Sequence, residues 1–280
     1  MTIIDFRLRP PVGGFLDLRI FSGQHISFVF TRRTGFEPAP SAKQKSIELL
    51  FEEMNAVGVT HGVIVGRNSG PLGRMSNQAV ADVAKTYPDK FFPVASVDVT
   101  ERKSAILQIE EARALGMNML NLEPGALPVP MHLDDRRIYP IYAYCEDNKI
   151  PVILMSGGSP GPDISYTEPA HLDRVLADFP DLTVIASHGS WPWVNEVLHI
   201  AFRRSNLYVC PDMYLHELPG MEDYIRAANT FLEDRFLFGT AYPLTPVKEY
   251  TEWFLKLPLK PAVMDKVLWQ NAARLLNVKL

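Results

Sequence analysis

Eight short apolar or β-branched runs alternate with helical patterns along the 280 residues, and this alternation limits the fold more than any single motif does. Strands are predicted at residues 3–7, 61–65, 93–97, 118–122, 152–155, 183–187, 207–210 and 236–238. Amphipathic helices are predicted between them at 43–57, 77–87, 103–115, 137–148, 168–179, 193–204, 222–232 and 247–257, and another at 263–276 closes the chain. Strands separated by helices of this length pair in parallel through right-handed crossovers. Eight such units in about 250 residues is the arithmetic of an α/β (β/α)₈ TIM barrel, expected here as a single domain over residues 1–280. Helix stops agree with it: Gly58 and Gly116 follow two helices, and Pro88 and Pro180 block two more.

An open doubly wound sheet shares the alternation but calls for a Gly-rich turn after its first strand. The chain instead has Arg9-Pro10-Pro11-Val12-Gly13-Gly14 and a long connection before the helix predicted at Lys43. A connection of that length tends to be functional. In a barrel it lies at the C-terminal rim, and its Arg19, His25, Arg32, Arg33, Phe15, Phe28, Phe30 and Phe36 suit a lid-like loop as well as a packing excursion.

Composition removes several classes of function. With 47% hydrophobic residues the chain can bury a large core, and no apolar run approaches a membrane span. Net charge is −4 and basic residues run no longer than pairs such as Arg32-Arg33 and Arg203-Arg204, so no nucleic-acid footprint is indicated. Charges at Asp5, Arg7 and Arg9 interrupt the N-terminal apolar stretch and argue against a signal peptide. Cys145 and Cys210 form no CxxC pair. Together these features make a cytoplasmic location the expectation.

Barrel chemistry collects at the C-terminal ends of strands. Those ends read Arg7 and Arg9, Arg67 and Asn68, Asp98, Asn121 and Glu123, Ser156-Gly157-Gly158, His188, Asp212 and Tyr214, and Ala241 and Tyr242. No lysine stands among them, which removes Schiff-base aldolase chemistry. No P-loop, GxSxG elbow or HExxH occurs.

Ser187-His188-Gly189-Ser190-Trp191-Pro192, followed by a predicted helix, resembles the strand-six histidine motif of the amidohydrolase superfamily. The similarity is to its amidohydrolase-related group, which includes aminocarboxymuconate semialdehyde decarboxylase, resorcylate-type decarboxylases and pyrone dicarboxylate lactonase. Phe238-Gly239-Thr240-Ala241-Tyr242-Pro243 resembles that group's strand-eight Phe-Gly-Thr-Asp-x-Pro. Asn206-Leu207-Tyr208-Val209 resembles its strand seven, and residues 269–276 its closing helix, so the resemblance spans residues 3–276. It implies a barrel enzyme with a divalent metal at the strand ends. The departures stand where that metal's ligands fall: Arg7 and Arg9 replace the first-strand histidines, Met155 the strand-five histidine and Ala241 the strand-eight aspartate. Guanidinium groups donate hydrogen bonds and do not ligate divalent cations. The expectation is therefore no metal and no other cofactor. Ala241 also stands where metal-independent lactonases of the group carry their general base, so that mechanism does not transfer intact.

The candidate catalytic residues are His188, Asp212, Glu123 and Tyr242, and the candidate substrate-binding residues are Arg7, Arg9, Arg67 and Asn121. His188 suits proton transfer near neutral pH. Asp212 either orients His188 or acts as base, and Glu123 is either a helper acid/base or an ion-pair partner of Arg9. Tyr242 or Tyr214 would donate to an oxyanion. Arg7, Arg9 and Arg67 form an anion clamp, unless Glu123 and Asp5 neutralise the first two. His25, His132 and His216 lie in loops that reach toward the mouth, while His171 and His199 fall on helix surfaces. The expected function is a metal-independent hydrolase of a small carboxylated lactone or related cyclic ester or amide. The alternatives are a metal-independent decarboxylase or isomerase, and a barrel that binds an acidic metabolite without turnover. The expected partner is a small anionic substrate, with no nucleic acid and no membrane; homodimerisation is left open.

Overall fold

Seven parallel strands, each hydrogen-bonded to the next in chain order, form a curled sheet: β1 (Ile3–Leu8), β2 (Val59–Val65), β3 (Phe91–Ser96), β4 (Leu120–Leu122), β5 (Val152–Met155), β6 (Val184–Ser187) and β7 (Leu207–Cys210). A computed structural model describes residues 2–22 and 24–279, with the side chains of residues 22–27 outside that description. The strands β5, β6 and β7 read as near-continuous apolar runs because helices cover the outside of the sheet while its inside is filled by side chains, whereas β1 and β4 carry Asp5, Arg7 and Asn121.

The predicted eighth strand is not a regular strand. Val209 N donates to Arg235 O at 2.9 Å and Leu237 N to Val209 O at 3.0 Å, while Phe6 N donates to Phe238 O at 2.9 Å and Arg9 N to Tyr242 O at 3.1 Å. Residues 235–242 thus bond β7 on one side and β1 on the other, closing the ring through isolated bridges. The segment cannot extend further, because Ala241 turns into the left-handed region at φ 57° and Pro243 follows.

The core has two layers. Ile4, Phe6, Val63, Val65, Val94, Met119, Ile153, Ile185 and Leu237 fill the inside of the ring, and the C-terminal helix packs Ala272 and Ala273 beneath them. Alternate residues such as Leu8, Ile64, Leu120 and Leu154 face outward to the helices. Helices begin on side-chain caps where the sequence supplies them, as where Ser76 accepts from Ala79 N and Glu101 from Ser104 N. Among the described residues no helix is long and apolar enough to cross a membrane.

The segment after β1 corrects an expectation. It is not a loop but a chain of short helices, Gly13–Asp17, Arg19–Ser22, Gln24–Arg33 and Pro40–Gln44. Burial of Phe15, Leu18, Phe21, Thr31 and Thr34 holds it to the barrel. The helix predicted at 43–57 is likewise two, broken where Lys45 turns left-handed at φ 52° and Ser46 caps Ile47–Ala56.

Candidate active site

The first strand aims its arginines inward through a change of register. Asp5 pairs with Gly62 and Leu8 with Ile64, so three steps along β1 match two along β2. The extra residue shifts the alternation: Ile4 and Phe6 belong to the inner core, while beyond the shift Arg7 and Arg9 point into the mouth and Leu8 points out. Bulges of this kind re-aim side chains beside functional sites.

Arg7, Arg9 and Arg67 converge on one carboxylate. Arg67 grips Glu123 bidentately, Nε to Oε2 at 2.7 Å and Nη2 to Oε1 at 3.1 Å. Arg9 Nη2 reaches Oε1 at 2.9 Å and Arg7 Nη2 reaches it at 3.3 Å. All four groups are buried. Burial alone would raise the Glu123 carboxyl, but the guanidiniums, Arg67 foremost, hold it well below the usual carboxylate range. In this arrangement Glu123 is the counter-ion of Arg7, Arg9 and Arg67. Asn121 lies beneath it, donating Nδ2 to Gly66 O at 3.0 Å and accepting from Arg7 Nη1 at 3.5 Å. Its polar groups are turned to neighbours, Arg7 among them, and it stands behind the residues that line the cavity.

Across the mouth, His188 and Asp212 form a pair. Nδ1 of His188 lies 2.8 Å from Asp212 Oδ1, and the backbone N–H of His188 donates to Oδ2 at 3.1 Å. A carboxylate only accepts, so the imidazole proton sits on Nδ1 and the lone pair on Nε2. Burial holds the His188 imidazole below its ordinary pKa; Asp212 pulls it back up, and Arg7 opposes that pull. Arg7 Nε lies 3.7 Å from Asp212 Oδ2, so one guanidinium bridges the dyad and the Glu123 cluster. His188, Ser190, Asp212 and Ala241 all occupy the left-handed region, at φ 63°, 59°, 47° and 57°. Such strain collects at functional sites.

A cavity of about 260 Å³ opens between these groups. Arg7, Arg9, Arg19, Arg67 and His188 line it together with Ile20, Phe30, Leu72, Met155, Met213, Tyr214, Tyr242 and Leu244, and among the described residues no carboxylate does. The buried Nε atoms of Arg7 and Arg9 have no hydrogen-bond partner. Among the described residues, three buried guanidiniums meet two ion-paired carboxylates, Glu123 and Asp212, and Asp5 is buried behind Arg7, accepting from its backbone N–H.

Other expected residues fall elsewhere. Tyr242 lines the cavity, and its hydroxyl donates to Ser41 Oγ at 2.9 Å. Tyr214 sits edge-on to His188, centroids 5.3 Å apart. His216 bonds Thr34 O through Nδ1 at 2.7 Å, and His132 stacks between Tyr166 and His171; neither lines the cavity. The His25 side chain lies outside the described residues. Arg19 joins the wall from the helical segment, an exposed residue that sequence reading placed only within the expected lid. Among the described residues no three His, Cys, Asp or Glu side chains gather as a ligand set.

Comparisons with known proteins agree with this fold. The family model described as amidohydrolase matches residues 25–278. An uncharacterized TIM-barrel protein from Bordetella bronchiseptica is 63% identical, with 99% of each chain covered and a TM-score of 0.98. The 5-carboxyvanillate decarboxylase of Sphingomonas paucimobilis shares the fold at 14% identity, TM-score 0.69 and 99% coverage of both chains. The 4-oxalomesaconate hydratase of Rhodopseudomonas palustris does so at 16% identity and TM-score 0.65, with 98% of this chain and 95% of that chain covered. No curated protein matches the chain.

Proposed function

Because the chain belongs to the amidohydrolase family, we propose that it is a metal-independent hydrolase of a small carboxylated substrate, a lactone or related cyclic ester or amide. The observation that carries this reading is the cavity wall, four arginines and a histidine with no carboxylate among them. A cavity wall of guanidiniums favours an anion, and guanidinium forks suit a carboxylate. Arg9 and Arg67 hold that group, which contributes orientation, not bond-breaking. His188 Nε2 takes a proton from water as the water attacks the carbonyl, and returns it to the ring oxygen or nitrogen as the acyl C–O or C–N bond breaks. Asp212 keeps the imidazole in the required tautomer and stabilises the imidazolium that forms. Arg7, next to the dyad and on the wall, receives the developing oxyanion in the place expected of Tyr242. No step is assigned to a metal, since Arg7, Arg9, Met155 and Ala241 offer no set of three converging donors.

A second reading draws on the rest of the wall. Ile20, Phe30, Leu72, Met155, Met213 and Leu244 are apolar, and a base beside such a surface also suits decarboxylation or proton removal next to a carboxylate. A screen of carboxylated lactones and aromatic acids separates the two by product, ring-opened acid or carbon dioxide. With a substrate in hand, His188→Gln is expected to lower kcat by about 10²–10⁴ while thermal shifts show carboxylate binding retained. Full turnover by His188→Gln would sink both enzymatic readings.

A further inference from the structure

Two buried tyrosines outside the cavity hold the turns that carry the dyad. Tyr224, on the helix Met221–Ala228, donates its hydroxyl to Gly189 O at 2.6 Å. Tyr250, on the helix Val247–Phe254, donates to Asp212 O at 2.6 Å. Neither side chain lines the cavity, and both are buried. The two carbonyls they bind belong to left-handed residues, Gly189 at φ 55° and Asp212 at φ 47°, where the chain has left the strand ladder and a buried oxygen needs a partner from elsewhere. The fit is close. A Cβ on Gly189 would stand 2.7 Å from the Tyr224 hydroxyl and 3.0 Å from Pro211 Cα, so the turn after β6 is fixed both by Tyr224 and by the backbone leading to Asp212.

We propose that Tyr224 and Tyr250 are positioning residues for the His188–Asp212 pair: their hydroxyls fix the two turns so that Nδ1 meets Oδ1 and the His188 N–H meets Oδ2. The inference rests on His188 and Asp212 being the dyad of the proposed reaction, but its geometric content is readable without turnover. Tyr142 provides a control. It is equally buried and donates to Leu133 O at 2.9 Å, a carbonyl outside the two turns.

The test measures the His188 imidazole by ¹H–¹⁵N NMR on the full chain, wild type against Tyr224→Phe, Tyr250→Phe and Tyr142→Phe, with melting temperatures alongside. Tyr142→Phe is expected to lower Tm and leave the His188 titration and its Nδ1 proton resonance in place. Tyr224→Phe and Tyr250→Phe are expected to move the titration midpoint by about half a pH unit or weaken the Nδ1 proton signal. Once a substrate is known, they should lower kcat about tenfold with little change in KM. Should a Phe variant not fold, site-specific 3-fluorotyrosine keeps the ring, alters the donor and is read by the same titration. Wild-type His188 spectra in folded Tyr224 and Tyr250 variants would overturn the proposal. Displaced spectra in a protein whose His188→Gln variant turns over fully would uphold the positioning and reject the function.

Discussion

Three guanidiniums meet on the Glu123 carboxylate, and burying them together without it would set like charges against one another in a space with little water. Removing one partner of a buried ion pair costs about 3–5 kcal/mol, because the charge left behind has lost both solvent and counter-ion. Glu123→Gln should therefore lower stability by about that amount, and the loss should shrink when sulfate or a small carboxylate replaces chloride. Melting curves in the two salts check this; an unchanged Tm in chloride would mean that the arginines do not depend on Glu123. The folded-state carboxyl is depressed, so its contribution is complete above the ordinary value of 4.5 and is lost as pH falls toward the folded value. At this scale Arg7, Arg9, Arg67, Glu123, His188 and Asp212 were legible as strand-end residues, because side-chain type and strand end together mark a barrel mouth. How they pair was less so. The sequence leaves Glu123 open between acid and counter-ion; the four N–O contacts from three guanidiniums favour the counter-ion.

Elements were legible where an apolar run and a helical period alternate cleanly, and they were missed where the period is broken by function. Period-2 reading puts Arg7 and Arg9 on one face, which is right, but it puts Ile4 and Phe6 on the other. The register shift in β1 sends all four inward, and no residue of the strand announces it. The segment after β1 failed as a prediction for a different reason: its helices are short, and their aromatic residues pack on the barrel without forming a regular stripe. Two contacts fasten its C-terminal part, His216 to Thr34 and Tyr242 to Ser41, and Ser41 in turn donates to Glu53. Ser41→Ala strands the buried Tyr242 hydroxyl, an effect of about 2 kcal/mol or on the order of 5 °C in Tm for a chain of this length. Adding Tyr242→Phe to Ser41→Ala should restore part of the loss, since it removes the stranded hydroxyl and leaves only Glu53 short of the Ser41 donor. Calorimetry on the two single variants and the double variant checks the sign; strict additivity would show that the hydroxyls are independent.

The ring as a whole is closed by its weakest stretch, residues 235–242, and one carboxylate inside the wall reinforces the closure. Asp5 on β1 accepts from Thr240 N at 2.9 Å and from the Thr240 hydroxyl, and it also accepts from Arg7 N at 3.1 Å. It ties the first strand to the last segment and to the residue that opens the site. Complete burial pushes its carboxyl up to about 7, against the pull of those hydrogen bonds. The sign of the pH effect follows. Between the ordinary value of 3.8 and about 7, the folded protein holds a proton on Asp5 that the unfolded chain has released. Stability from this group is therefore full at the acid end of that window, falls as pH rises through it, and is level above it. Over roughly three pH units the change is on the order of 4 kcal/mol. His188 acts in the opposite direction, since its depressed value makes folding favour higher pH around the ordinary 6.5, so the wild-type profile alone mixes the two. Asp5→Asn isolates the first. The stability of the variant relative to wild type should climb with pH from about 4 to about 7 and then level off, read from denaturant unfolding across the range. A difference that stays constant with pH would mean that Asp5 keeps one charge state throughout, and that the ring is closed by a permanent anion whose burial the Thr240 and Arg7 donors offset in full.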